Sequence, residues 1–195
     1  MTERGGEGAV KSLAEKLPIG RGEAPKVQME GEARLLPGDR VPDFVLPDPE
    51  GTLRYFYKLV TGQPTVLLLP ANTARQEQWD EIKGFAALLP ELVAEGAALM
   101  IVSNDGVESL AMVSKAIPAP AVWFADIHGV VNLGLRSAAK FDMSGVICLV
   151  ADEDQRLIAL RGPEPGHAAW ALEVLRRRPR REAMALTAVA PVLLL

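Results

Sequence analysis

The single thiol of this sequence, Cys148, stands inside the apolar run Val146–Val150. A thiolate can attack an electrophilic oxygen or sulfur, but a thiol packed among aliphatic side chains has a raised pKa and is usually inert. One cysteine also excludes an internal disulfide, a Cys-x-x-Cys redox pair and a cysteine zinc cage. The two histidines, His128 and His167, are far apart and have no nucleophile or ligand partner at useful spacing. His128, in Asp-Ile-His-Gly, reads as a turn residue, and His167 as a first-turn helix residue and nothing more. Asp126, Asp142 and Asp152 flank strands, where aspartate shapes turns more often than it holds metal. No metal and no cofactor is expected.

A second set of residues, Pro70, Asn72, Thr73, Arg75 and Gln76, follows the short apolar run Val66–Leu69. Thr73 and Gln76 have the spacing of a capping box, in which the hydroxyl and the amide each satisfy an unpaired N–H at a helix start. The same residues could instead hold a small ligand or anion, since helix N-termini present N–H groups outward. Arg75 beside them could assist. Both readings are open on spacing alone.

The elements that must position these residues follow from periodicity. Val66–Leu69 is long enough for a buried strand and too short for a helix. After the turn, Trp79, Ile82, Phe85, Leu88 and Leu89 recur at helical spacing, with Pro90 expected to end or kink the helix and Gly96 to cap it. Ala97–Val102 predicts a second buried strand. Ser103, Asn104 and Asp105 would then cap a helix bearing Val107, Leu110, Val113 and Ile117, broken by Pro118 and Pro120. Ala121–Phe124 predicts a short strand, Val130–Leu135 a short helix and Gly145–Ala151 a third buried strand. Asp152–Gln155 turns into a strand over Leu157–Leu160. A last helix runs from His167 to about Arg177, with Trp170, Val174 and Leu175 inward. Ahead of all these, Phe44 and Leu46, then Leu53, Tyr55 and Tyr57, alternate as two strands joined by a turn. Strands alternating with helices and closed by a hairpin and helix predict an α/β fold, a mixed sheet covered by helices.

This order and its punctuation resemble the peroxiredoxins, the alkyl hydroperoxide reductase/thiol-specific antioxidant type of thioredoxin-fold protein. Pro37, Gly38, Asp39, Pro42, Phe44, Leu46, Pro47, Asp48 and Gly51 fit the opening of that family, and the strand ending in Pro70 fits its active-site turn. The resemblance implies a thioredoxin-like fold and antioxidant, oxidoreductase redox chemistry. It also implies a peroxide-attacking Cys three residues after a Thr or Ser. Strict spacing from Pro70 places Ala74 and Glu77 at those two positions, and a loop one residue shorter places Thr73 and Gln76 there. Neither gives a thiol. Aligning Asp152 with the family's turn aspartate puts Val146 where the family's thiol-activating Arg would stand. The resemblance therefore implies a degenerate active site. Three functions remain open: a redox-inactive binding or scaffolding module, an antioxidant thiol peroxidase using Cys148, and a small-ligand site at Asn72–Gln76.

The chain of 195 residues is long enough for one domain with flanking segments. Residues 1–34 read as a flexible arm, 35–177 as the domain, and 178–195 as a basic linker and apolar tail. Arg176–Arg181, interrupted by Pro179, reads either as a solvated helix end or as a docking patch. The tail Ala188–Leu195 looks like the first strand of a further domain. Its junction is similar to that of bacterial proteins fusing a peroxiredoxin-like domain to an iron/2-oxoglutarate oxygenase-like domain. A C-terminal partner domain, or self-association through the tail, is expected. The net charge of −4 gives no general attraction to nucleic acid. No apolar run approaches the ~20 residues of a membrane span, and the polar start lacks a signal-peptide pattern, so a soluble cytoplasmic protein is expected.

Overall fold

The computed structural model describes residues 34–117, 120–142 and 144–179. Readings of the arm, of Pro118 and of the chain beyond Pro179 lie outside the described residues.

The sheet is assembled from the predicted apolar runs. β3 (Thr65–Pro70) is central, with β4 (Ala98–Ser103) and β6 (Val146–Ala151) beside it, and β5 (Val122–Ala125) and β7 (Leu157–Arg161) at the edges. β3, β4 and β5 are parallel, whereas β6 and β7 are antiparallel to their neighbours. Strand side chains alternate between faces, and β3 is apolar on both because both are covered. Val66 and Leu68 join a core with helices α2 (Gln76–Ala94), α3 (Val107–Val113) and α5 (His167–Arg177). Leu67 and Leu69 join a second core with α1 (Phe56–Val60) and α4 (Val130–Ala138). This is the thioredoxin-like α/β arrangement, a five-stranded mixed sheet between helices.

The opening strands form as a separate hairpin, β1 (Val45–Pro47) with β2 (Leu53–Tyr55). Phe44 leads into it, stacks on Phe56 with ring centroids 4.6 Å apart and meets Phe124 edge-on at 5.4 Å. Tyr57 was expected to extend the second strand. It lies in α1 instead, because the chain must turn there to bury Phe56 and Val60 against the sheet.

α2 runs through Pro90 without ending there and stops at the expected cap, where Gly96 takes φ +73°, with N–H groups of Gly96 and Ala97 returning to Val93 and Leu92 carbonyls. The basic helix end is not simply solvated. The Arg178 side chain is buried, donating to the Glu95 and Leu175 carbonyls and facing the Glu95 and Glu153 carboxylates. It ties the ends of α2 and α5 to the β6–β7 turn.

Candidate functional site

The turn after β3 is closed by contacts the local spacing does not show. Arg75 is the N-cap of α2 and no side chain caps that helix, so the expected Thr73–Gln76 capping box is absent. Thr73 is buried, and its hydroxyl and N–H both donate to Asp105 Oδ2, at 2.6 and 3.2 Å. Ser103 Oγ donates to the same oxygen. Ser103 and Asp105 therefore hold the turn and leave the start of α3 uncapped by side chains, where Gly106 is the N-cap. The physical reason is position: parallel β3 and β4 end side by side, which brings their following loops into contact.

Gln76 points outward and donates to Asp80 Oδ1 across one helical turn. The glutamine that closes the turn is Gln78, buried against the sheet, whose Oε1 accepts the Asn72 N–H at 2.9 Å. Asn72 Oδ1 accepts the Ala74 N–H at 2.7 Å. Arg75 is exposed, with no carboxylate partner among the described residues. Pro70, Asn72, Thr73, Arg75 and Gln76 thus share one turn, and most of their polar atoms are already paired within the fold. Asn104 Oδ1, next to Asp105, is buried and has no donor.

Beneath the turn lies a polar cluster that sequence reasoning missed. Asn132 Nδ2 donates to the Pro70 and Val102 carbonyls, spanning the ends of β3 and β4. Its Oδ1 accepts from Arg136 Nε at 2.6 Å. The Arg136 guanidinium, 1% exposed, donates to the carbonyls of Leu69, Asp142, Ser144 and Gly145. Burial lowers the guanidinium pKa, and nearby Asp142 partly offsets this. Val146, where the resemblance would place the family's Arg, pairs with Pro70. A buried Arg nevertheless reaches these same strand ends, from α4. Asn132 and Arg136 stand four apart on the apolar face of α4, and that polar pair on a buried helical face was the available signal. Asp126, buried at the helix start, accepts the N–H groups of Val130 and Asn132. Burial, ahead of those hydrogen bonds, raises its pKa.

Cys148 lies away from this turn in the middle of β6, beside Leu68, and is fully buried. Burial pushes its thiol far above the ordinary range. Its nearest polar contact is the Leu149 carbonyl at 4.0 Å. His128 is exposed in its turn, as expected. His167 does more than begin a helix: its fully buried ring has Nδ1 2.9 Å from Glu81 Oε2 and Nε2 2.7 Å from the Gly162 carbonyl, fastening α5 to α2. Among the described residues no cluster of His, Cys, Asp and Glu could hold a metal, and no helix is long and apolar enough to cross a membrane.

Comparison with solved structures agrees with the topology. A peroxidoxin, BcpB, from Mycobacterium tuberculosis superposes with a TM-score of 0.64 at 24% identity, over 73% of this chain and 97% of that one. Peroxiredoxin 5 from Alvinella pompejana gives 0.61 at 17%, over 73% and 99%. A thiol peroxidase from Chromobacterium violaceum gives 0.56 at 14%, over 73% and 87%. At these identities the likeness establishes the fold alone. No curated protein matches the chain. The AhpC/TSA family model, however, matches residues 37–140, from the first turn to the end of α4, and with more than half of its length so matched the chain belongs to the AhpC/TSA family.

Proposed function

We propose that this chain is an AhpC/TSA-family domain that does not reduce peroxides and serves as a redox-inactive binding or scaffolding module. The observation that carries the reading is the burial of the only thiol. Peroxide reduction needs a thiolate that can reach a peroxide oxygen and become a sulfenic acid. Cys148 is fully buried, its ionisation is opposed by burial, and the turn that carries the resemblance holds Thr73, Ala74, Gln76 and Glu77 in place of a thiol. Arg136 offers no remedy, because its donors are spent on backbone carbonyls.

The rival is an antioxidant thiol peroxidase using Cys148. Stopped-flow mixing with hydrogen peroxide and a thioredoxin-type reductant separates the two. The module reading expects turnover no faster than an ordinary thiol gives. Rapid turnover abolished by Cys148→Ser would establish the peroxidase.

What such a module would bind has two supports. The apolar segment Ala188–Leu195 is suited to a C-terminal partner domain, such as the oxygenase-like one, or to a second copy. Deleting residues 183–195 should then reduce self-association, read by light scattering across a concentration series. A small ligand at Pro70, Asn72, Thr73, Arg75 and Gln76 is favoured by the undonated Asn104 Oδ1 and the exposed Arg75 guanidinium next to the start of α2.

A further inference from the structure

His167 is the first residue of α5, and its fully buried ring lies between two acceptors. Nδ1 is 2.9 Å from Glu81 Oε2, and Nε2 is 2.7 Å from the Gly162 carbonyl oxygen. A carbonyl accepts and never donates, and so does an ionised carboxylate. Glu81 is held in that ionised form. Its Oε1 accepts the Gly166 N–H at 2.9 Å and its Oε2 the His167 N–H at 3.1 Å. Burial works against the charge, yet these bonds and the His167 ring lower its pKa. A neutral imidazole carries one N–H and one bare lone pair. In this place it would turn the lone pair on one of the two oxygens. The imidazolium, with a proton on each nitrogen, satisfies both.

The other charged groups around the ring are engaged elsewhere. On α2, Asp80 and Lys83 pair with each other. On β7, Arg161 donates to the Pro165 carbonyl at 2.9 Å and stands 3.9 Å from the exposed Glu164 carboxylate. On β6, burial holds Cys148 as a neutral thiol. Burial and the positive end of α5 oppose a cation here, while the Glu81 carboxylate favours one. The second ring proton is therefore held by contacts of opposing effect. What it holds in place is α5. The helix has no side-chain cap of its own, and Glu81 serves its first N–H groups from α2. Ala168, Ala171, Leu172 and Leu175 of α5 share one core with Cys148 and Val150.

We propose that His167 is a proton-operated latch. With both ring nitrogens protonated it clamps α5 to α2 and to the loop 162–166, and loss of one proton as pH rises loosens α5 from the sheet face that carries Cys148. The latch works whether or not the domain is redox-active.

The test uses the full, untagged chain with His128→Asn, which leaves His167 as its single histidine. Long-range ¹H–¹⁵N correlation spectra of the ring distinguish the imidazolium from either neutral tautomer. Amide hydrogen exchange in the same samples gives the protection of α5, with the rate at each pH divided by the intrinsic rate at that pH. Amides of α4, on the opposite face of the sheet, are the internal control. From about pH 5.5 to about pH 9, where histidine charge changes, the ring should pass from imidazolium to a neutral form. The protection of α5 should fall with it by roughly tenfold or more, the worth of one hydrogen bond to a charged group, while α4 holds. His167→Gln, which keeps one donor, should remove that pH dependence. The proposal is overturned if the ring keeps one form throughout, if it changes form while α5 stays protected, or if α4 loses protection equally. It is also overturned if His167→Gln retains the parental pH dependence.

Discussion

The end of β3 and the middle of β6 lie only two residues apart in register, since Pro70 pairs with Val146 and Leu68 with Cys148. Chemically they are opposites. At the strand end, Thr73, Ser103 and Asp105 meet above Asn132 and Arg136, and a helix begins with no side chain on its first N–H groups. In mid-strand, Cys148 sits among apolar side chains, with burial outweighing the more distant charges of Arg161 and Glu81. A thiol at the first place would be near water, cations and a helix N-terminus, each of which favours thiolate. At the second it is a small apolar filler. Within two residues of one ladder, position decides whether the same side chain is a reagent or packing.

That contrast can be broken most sharply from the dry side. Cys148→Asp places a carboxylate in the apolar interior, where only Arg161 on the neighbouring strand acts on it from a distance, and should cost about 4 kcal/mol or more, enough to unfold a marginal domain. Urea titration followed by circular dichroism measures this. A folded variant of near-parental stability would mean that water reaches β6. From the polar side, Arg136→Met removes the donor for the carbonyls of Leu69, Asp142, Ser144 and Gly145 together. Each buried carbonyl left without a donor costs about 1–3 kcal/mol. A loss below about 1 kcal/mol would show those carbonyls to be hydrated, with bonds to water replacing the lost donor.

The two regions also differ in how far the sequence discloses them. Val66–Leu69 and Val146–Val150 are unbroken apolar runs, and a strand covered on both faces leaves that trace whatever packs on it. The helices from Gln76 and His167 likewise announce themselves by period. The polar cluster does not. Thr73 and Gln76 have ideal local spacing for a cap, yet Thr73 answers to Asp105, which arrives on another strand, and Gln78 makes the bond assigned to Gln76. Arg136 reaches Leu69 from a helix far along the chain. Periodicity records burial, a property of each residue with its own neighbours. Hydrogen bonds between loops depend on which strand ends lie side by side, which spacing within one segment cannot encode.

Thr73→Val tests the reassigned contact at intermediate size. It keeps the shape, removes the hydroxyl donated to Asp105 and leaves the Thr73 N–H and Ser103 bonds in place. The expected loss is about 1–2 kcal/mol, the range for a hydrogen bond to a charged group. Gln76→Ala, which touches only exposed Asp80, should change stability by less than about 0.5 kcal/mol. Thermal unfolding of the pair ranks them, and the reverse order would restore the capping box.

The smallest effects lie in the pH dependence, where a carboxylate from each face has the opposite sign. Burial alone would raise the pKa of Glu81, but hydrogen bonds from the Gly166 N–H, the His167 ring and the His167 N–H together hold it below its usual 4.5. A depressed carboxylate stabilises the fold above its unfolded pKa, and that contribution is lost as pH falls through the folded value. Asp126, beneath the turn, is raised above 3.8 because burial outweighs its bonds from Asn132, Val130 and Val131. Between 3.8 and that raised value the native state binds more protons than the unfolded chain, so Asp126 makes stability fall as pH rises across that window. Glu81→Gln should therefore flatten the gain in stability on going from acid toward neutral pH. Asp126→Asn should steepen it, even if the amide lowers stability by a constant amount. Urea midpoints between pH 3 and pH 6 for the parent and both variants give the slopes directly. Slopes that change in the same direction would mean that Asp126 is as well served by its hydrogen bonds as Glu81, and that the polar cluster beneath the turn carries no desolvation cost.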